Sequence, residues 1–459
     1  RLTLTMLSKT PRAKYRKVLL QLAHQPLSDG LPETPYVVAG ITFAELSRTA
    51  GVPRSTLYRL WETQYDFWID LSRYIAYEID YSQRERELPW LERRSTASRR
   101  PILAADQSDK EMSAQANAVQ AIVMDDFRVL IRAAFIGYPD VADLGRVRRH
   151  VETSRLESLG EELSLSWIAI GGAMFTVDAE TEIAATMWCI ADELSVLNRF
   201  FPEACGQLFA VDFGLGEYPW SLLALVLRSL CHGSPATDQP DRTSEREWYE
   251  IPPPDDPWND AQLTNLGLAM ELFVDSITSH HNTVEPPGVL DYVTVARVAA
   301  MAGVSRRTIY NVWPTRDEMM SDLLQDLLHD HATVLLAPFD VSPGPVTLGE
   351  ITASLIGPSN AEPPAEPLLA FMIGVGNERH HSAIRRANQE LIAQLAQQIA
   401  VWLDSVGRQP RDGIGFEQLA VIWLCLVRGG RRLRRTCPQF TATFETAVEM
   451  IMRELSVLR

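Results

Sequence analysis

A chain of 459 residues, 46% hydrophobic and 22% charged, has material for two or more buried cores and the balance of an ordinary globular protein. A net charge of −16 excludes a uniformly basic coat for nucleic acid, and no apolar run approaches the roughly 18–20 residues that span a bilayer. The five cysteines (Cys189, Cys205, Cys231, Cys425 and Cys437) are scattered and lack metal-ligand spacing. They read as structural thiols in a reducing compartment, so a cytoplasmic protein is expected. The opening Arg1-Leu-Thr-Leu-Thr has no signal-peptide core, and the missing initiator Met points to a trimmed chain.

The charge is unevenly spread. Residues 1–60 hold nine Arg or Lys against three Asp or Glu, a balance of +6, so the remainder carries −22. Screening confines each field to about 8–10 Å, so a basic face and an acidic body can coexist.

In chain order, residues 12–25 read as an amphipathic helix that ends before Pro26 and Gly30. Residues 42–50 and 54–61 form two short helices, and a longer one starts at 64 and reaches about 80. The Arg/Ser-rich stretch Glu92–Arg100 reads as a loop. Helical periodicity then covers about 113–136, 139–164, 180–199 and 215–231. Residues 233–258 carry Pro235, Pro240, Pro252, Pro253, Pro254 and Pro257 among polar residues, which favours extended linker chain.

The second half repeats the programme. Helices are expected at about 260–280, 294–313 (as a pair), 316–336, 368–376, 379–406, 415–434 and 440–457, with Pro-rich loops near 338–346 and 358–367. The apolar run Leu419–Val427 reads as a buried helix. No strand is predicted. The chain therefore reads as all-α, with units at 1–68 and 69–232, a linker at 233–259, and units at 260–320 and 321–459. The helices near 180–231, with 415–434 and 440–457, are the expected bundle joining the halves, because their apolar faces need a partner.

Two segments carry the argument about function. Ile41-Thr-Phe-Ala-Glu-Leu-Ser-Arg-Thr-Ala-Gly-Val-Pro-Arg-Ser-Thr-Leu-Tyr-Arg-Leu-Trp61 aligns with Val293-Thr-Val-Ala-Arg-Val-Ala-Ala-Met-Ala-Gly-Val-Ser-Arg-Arg-Thr-Ile-Tyr-Asn-Val-Trp313, with nine of the 21 positions identical. Each reads as helix, tight turn at Gly51 or Gly303, then a short polar helix, the helix-turn-helix shape that fits the DNA major groove. Thr42 with Glu45 fits a capping box; the second copy keeps Thr294 but has Arg297 as its partner. Leu46, Val52, Leu57 and Trp61 are expected to pack inward, as are Val298, Val304, Ile309 and Trp313. Arg54, Ser55, Tyr58 and Arg59 project outward in the first copy, and Arg306, Arg307, Tyr310 and Asn311 in the second. Arg pairs two donors with guanine, Asn pairs with adenine, and hydroxyls hold phosphate. Thr63 and Thr315 are placed to cap the next helix, whose first amides suit a phosphate. The second copy is the less favourable, since residues 260–320 hold four Arg and seven Asp or Glu, a balance of −3.

The pattern Ala-Gly-Val-x-x-x-Thr-Leu/Ile-Tyr-x-x-Trp, with Thr two positions on, resembles the DNA-binding segment of tetracycline-repressor (TetR) family regulators. The resemblance covers about residues 12–68 and 265–320. It implies an all-α protein in which a three-helix DNA-binding domain precedes a helical body that binds a ligand and dimerises through its last two helices. It places base and phosphate contacts on Arg54, Ser55, Thr56, Tyr58 and Arg59, and on Arg306, Arg307, Thr308, Tyr310 and Asn311. Thr42, Thr63, Thr294, Thr315 and Arg316 complete the candidate set. Two departures stand out. Gln64 and Arg316 occupy the place of the family's usual Lys, and two readers share one chain where the family normally pairs two chains. A single-chain pseudo-twofold unit reading two non-identical half-sites of double-stranded DNA is the expectation, with a further pairing of two such chains as its rival.

The resemblance also implies a small, fairly apolar effector. Trp167, Met174, Phe175, Met187 and Trp188 are candidate pocket residues in the first body, and Phe371, Met372, His380 and Trp402 in the second; ordinary core packing is the competing reading of each. His329-Asp330-His331, His280-His281 and His380-His381 form no metal set, and no phosphate loop or nucleophile elbow occurs, so neither a cofactor nor an enzyme is expected. The arginines at 428, 431, 432, 434 and 435 suit salt bridges to the acidic body or a solvated helix end better than a second nucleic-acid contact. A sequence-specific transcriptional regulator, a repressor, is the favoured function. The alternative is a ligand-binding or protein-interaction module in which one reader has lost DNA binding.

Overall fold

The computed structural model describes residues 41–75, 179–198, 200–214, 216–230, 259–266, 268–269, 294–340, 347–356, 378–436 and 444–458, together with nine helical positions between Lys110 and Leu156. The expected helices at 12–25 and 368–376, the loop at Glu92–Arg100 and the Pro-rich linker lie outside these residues, as does most of 113–164.

Among the described residues the chain is mostly helical. The first half contributes α1 (Phe43–Ala50), α2 (Arg54–Leu60), α3 (64–75), α4 (Ala179–Asn198), the one-turn α5 (Pro202–Cys205) and α6 (Leu222–Leu230). The second contributes α7 (described at 260–266 and 268–269), α8 (Val295–Ala302), α9 (Arg306–Val312), α10 (Arg316–Asp340), α11 (Leu348–Ile356), α12 (Glu378–Ser405), α13 (Phe416–Thr436) and α14 (Phe444–Glu454). None of them is long and apolar enough to cross a membrane.

The expectation of no strands is corrected by two small antiparallel pairs. Strand β1 (Phe209–Asp212) pairs with β2 (Glu217–Trp220), and β3 (Arg408–Pro410) with β4 (Ser456–Leu458). The helix expected at 215–231 therefore begins only at Leu222. Its first residues run extended because Gly214 and Gly216 take positive φ values of 96° and 119°, and Asp212 Oδ1 accepts from both of their amides at 2.7 and 3.0 Å. Pro219 has no amide to give a helix at that point. Likewise the helix expected to reach 457 stops at Glu454, where β4 takes over.

The halves meet in a four-helix bundle. α4 and α6 of the first half pack on each other and on α13 and α14 of the second. Every residue of α6 is buried, and so is Leu419–Val427 of α13 except half-buried Val421, as the long apolar run predicts. Around this bundle, α11 packs on α13 and α14, and α12 lies between α10 and α13. One continuous apolar core runs from Phe43, Leu57 and Phe67 through Leu194, Leu225 and Leu424 to Ile309 and Met319. Cys205 and Cys425 are buried in this interior and Cys189 in a smaller cluster with Leu156, Ile356 and Phe444, and burial pushes the Cys205 thiol up to about 12, so it stays protonated.

Arg428, Arg431, Arg432 and Arg434 of α13 are structural. Arg432 pairs with Asp192 (3.0 Å) and Glu193 (3.1 Å) of α4, and Arg428 lies 3.5 Å from Glu193. Arg431 and Arg434 donate to the terminal carbonyls of α11, at Leu355 (2.8 Å) and Ile356 (3.0 Å). These partners satisfy helix-end groups that would otherwise be orphaned, and they hold the joint together by charge as well as by apolar contact.

Candidate nucleic-acid interface

The two repeated segments fold alike. In each, an eight-residue helix ends at a glycine with φ of 65°, at Gly51 and Gly303, and a seven-residue helix follows. Space is not what requires glycine here, because an added Cβ at either position meets nothing within 4 Å. The left-handed backbone is what an L side chain resists. Leu46, Leu57 and Trp61 are buried beneath the first turn and Val298, Ile309 and Trp313 beneath the second, with Val52 and Val304 half-buried beside them.

That packing turns the other face outward. Arg54, Ser55, Tyr58 and Arg59 are exposed on α2, and Arg306, Arg307, Tyr310 and Asn311 on α9; Thr56 and Thr308 are half-buried at the same register. Tyr58 and Tyr310 are 53% and 47% exposed, which is high for aromatic rings and leaves each hydroxyl end open to a partner. The Tyr58 ring meets the Phe43 ring in a T-shaped contact, 4.9 Å between ring centres and 84° between planes. Arg59 folds back to donate from Nε to the Ser55 carbonyl at 3.3 Å, whereas Asn311 occupies its place on α9.

The helix starts differ between the copies. Ser305 caps α9, accepting from the Thr308 amide at 3.2 Å and meeting the Thr308 hydroxyl at 2.9 Å. Pro53 stands at the same place before α2 and offers no side-chain cap. Thr42 and Thr294 are half-buried at the starts of α1 and α8, where their carbonyls accept from Leu46 and Val298 at 2.9 and 3.0 Å. Thr63 and Thr315 are exposed and cap the following helices as the sequence suggests: Thr63 Oγ1 accepts from the Asp66 amide at 3.1 Å, and Thr315 Oγ1 from Glu318 at 3.2 Å. In the first copy the Asp66 carboxylate also accepts from the Thr63 amide and hydroxyl, at 2.9 and 2.7 Å. Thr63 and Asp66 thus form a reciprocal cap at the start of α3. Arg316 is half-buried, with its Nε enclosed.

A device that motif reading passed over locks each reader to its body. The indole Nε1 of Trp61 donates to Asp70 Oδ2 at 2.8 Å, and that of Trp313 to Asp322 Oδ2 at 2.6 Å, each reaching nine residues ahead. Both tryptophans end the second reader helix and both aspartates lie in the helix after it, so the short helix is fastened to the long one. The signal was present as an Asp nine positions after each Trp. We predict that Asp322→Ala leaves the buried indole N–H without its acceptor and lowers unfolding stability by about 1–3 kcal/mol, measured by urea denaturation. An unchanged midpoint would show that another acceptor takes its place.

No family model, curated protein or solved structure matches this chain.

Of the candidate pocket residues, Trp188 is half-buried against Leu156, Ala185, Ile356 and Phe444, Trp402 is half-buried against the main core, and Met187 is buried within it. Trp167, Met174, Phe175, Phe371 and Met372 lie outside the described residues. A half-open groove of about 860 Å³ runs instead between α10 and α12, walled by Asp322, Gln325, His329, Arg386 and Glu390 over an apolar floor that includes Leu391. Asp322 is thus shared between this groove and the Trp313 lock.

Proposed function

We propose that the chain is a sequence-specific DNA-binding transcriptional regulator, a repressor, built from two TetR-like units in one polypeptide that form a pseudo-twofold single-chain dimer. The observation that carries this reading is the pair of equally folded helix-turn-helix segments. Each presents an exposed tyrosine and arginines on the second helix, and each is fastened by the same tryptophan to the helix behind it. A helix so exposed and so fixed has the dimensions of a major-groove reader.

The two exposed sets differ, with Ser55 and Arg59 against Arg307 and Asn311. The preferred site is therefore two unlike half-sites rather than a palindrome. Selection from a random duplex pool with the intact chain tests this, and recovery of perfect palindromes would overturn it. Arg54→Ala and Arg306→Ala are each expected to cost about 1–3 kcal/mol of specific affinity, or roughly 5- to 150-fold in Kd, with relaxed preference confined to one half-site. Unchanged affinity in both would remove the assigned contacts. A small effector that alters the separation of the readers completes the proposal. The α10–α12 groove is a described cavity whose wall reaches the Trp313 lock.

One observation favours a second reading, in which the second reader serves ligand or protein binding and has given up DNA. Its surroundings are acidic, with Asp317 exposed and Glu318 half-exposed beside it. In that case Arg306→Ala leaves DNA affinity untouched while Arg54→Ala still lowers it.

A further inference from the structure

We propose that Gln262 is a positioning residue that clamps the first reader to the second half and so fixes the spacing between the two readers. The inference rests on the DNA-reading function for its consequence but not for its geometry. Helix α7 opens on a reciprocal capping pair: the Asn259 amide donates to Gln262 Oε1 at 3.1 Å, and the Gln262 amide donates to Asn259 Oδ1 at 3.0 Å. This pair uses the side-chain oxygen of Gln262 and fixes the direction of its amide group. The remaining donor, Nε2, reaches across to the carbonyl of Leu60 at 3.3 Å.

Leu60 is the last residue of α2, and its carbonyl is one of the four acceptors that a helix end leaves without an intrahelical partner. A residue 202 positions along the chain, in the opening turn of the second half, thus caps the end of the first reader helix. The rest of α7 gives the clamp a base. Leu266 and Ala269 are wholly buried in the same core that half-buried Leu60 packs against. The first reader is held at one end by Trp61 on its own body and at the same end by α7 of the other half. Its position therefore depends on both halves at once.

Gln262→Glu isolates the clamp. It keeps an acceptor for the Asn259 amide, and a carboxylate suits a helix start, but it has no donor for the Leu60 carbonyl. Two measurements decide the matter. The first is the distance distribution between spin labels introduced through unnatural amino acids at exposed Ala44 and Ala300, one on each reader. The second is discrimination against selected operators lengthened or shortened by one base pair between half-sites. The expected result is a broader distance distribution and a loss of about fivefold in spacing discrimination, with base preference within each half-site unchanged. A distribution as narrow as that of the parent chain overturns the clamp, and unchanged spacing discrimination overturns its role in spacing. If the parent chain binds no duplex at all, the DNA-reading function fails, and the label distances still decide whether Gln262 joins the halves.

Discussion

Gly429→Ala is expected to destabilise the protein by about 2 kcal/mol or more, although alanine is the better helix former. Gly429 lies in the interior of α13 where that helix crosses α4. A Cβ built there stands 2.6 Å from the carbonyl oxygen and Cβ of Cys189 and 2.8 Å from its Cα. These atoms belong to the backbone of the partner helix or its first side-chain atom, so no rotamer change clears them. Alanine gains about 1 kcal/mol in helix propensity over glycine, but forcing two packed helices apart costs about 1–3 kcal/mol and at times more. The clash decides the sign because the entire α4–α13 contact has to move. Neighbouring Gly430 provides the comparison. Its added Cβ meets Ile356 Cδ1 and the Phe444 ring, which are side-chain ends that can give way. Gly430→Ala should therefore cost less, and urea denaturation of the two variants side by side checks the order. Equal midpoints would mean that the helices separate easily at the crossing.

Glu193→Ala should cost about 3–5 kcal/mol, because it removes the carboxylate that faces buried Arg428 and leaves Asp192 alone to balance Arg432. Glu193 is 3% exposed and faces Arg428 and Arg432, which are matched by it and by Asp192. Arg428 also donates from Nε to His331 Nε2 at 3.0 Å and from Nη2 to Asn388 Oδ1 at 3.0 Å. The network thus ties α4 to α13, α12 and α10, the last being the helix that carries the second reader's lock. It also implies a pH dependence. Because Nε2 of His331 accepts a hydrogen bond, the ring is neutral. Burial first, and then Arg428 and Arg431, hold its pKa well below the ordinary value of 6.5. The unfolded chain takes up a proton near pH 6.5 that the folded chain refuses, so this contribution is complete above about pH 6.5 and is lost as the pH falls below it. The loss approaches about 1.4 kcal/mol per pH unit until the folded pKa is reached. His331→Gln should flatten the stability profile between pH 6.5 and 5, and an equally steep profile in that variant would assign the slope to other groups.

Much of the fold was legible because its signals are local. The glycine turns, the inward aliphatics and the outward arginines of the readers follow from period and backbone freedom. The ends of α4, α12 and α13 fall within one or two residues of where periodicity puts them. The bundle between the halves was legible from apolar faces that lacked partners. Part of what escaped depends on pairing at a distance; α11, and the last turn of α10 through Pro338 where a Pro-rich loop is expected, escaped as well. Phe209–Asp212 is too short to show alternation, and it becomes a strand only when Glu217–Trp220 returns alongside it. The Trp313–Asp322 bond joins residues that look unremarkable singly. Asp66 reads as surface charge until its carboxylate is seen holding Thr63. Gln262 gives no local sign of its reach to Leu60. In the arginine run of α13 the charge was visible, but its acidic partners lie in another half of the chain.

The four-helix joint of α4, α6, α13 and α14 lies within a single polypeptide, which sets its thermodynamics apart from that of two separate subunits. Its assembly is first-order, so dilution does not take it apart and its melting temperature does not rise with protein concentration. One codon change alters one face of the joint and leaves the opposite face as it was, so each side is free to drift away from the other's sequence.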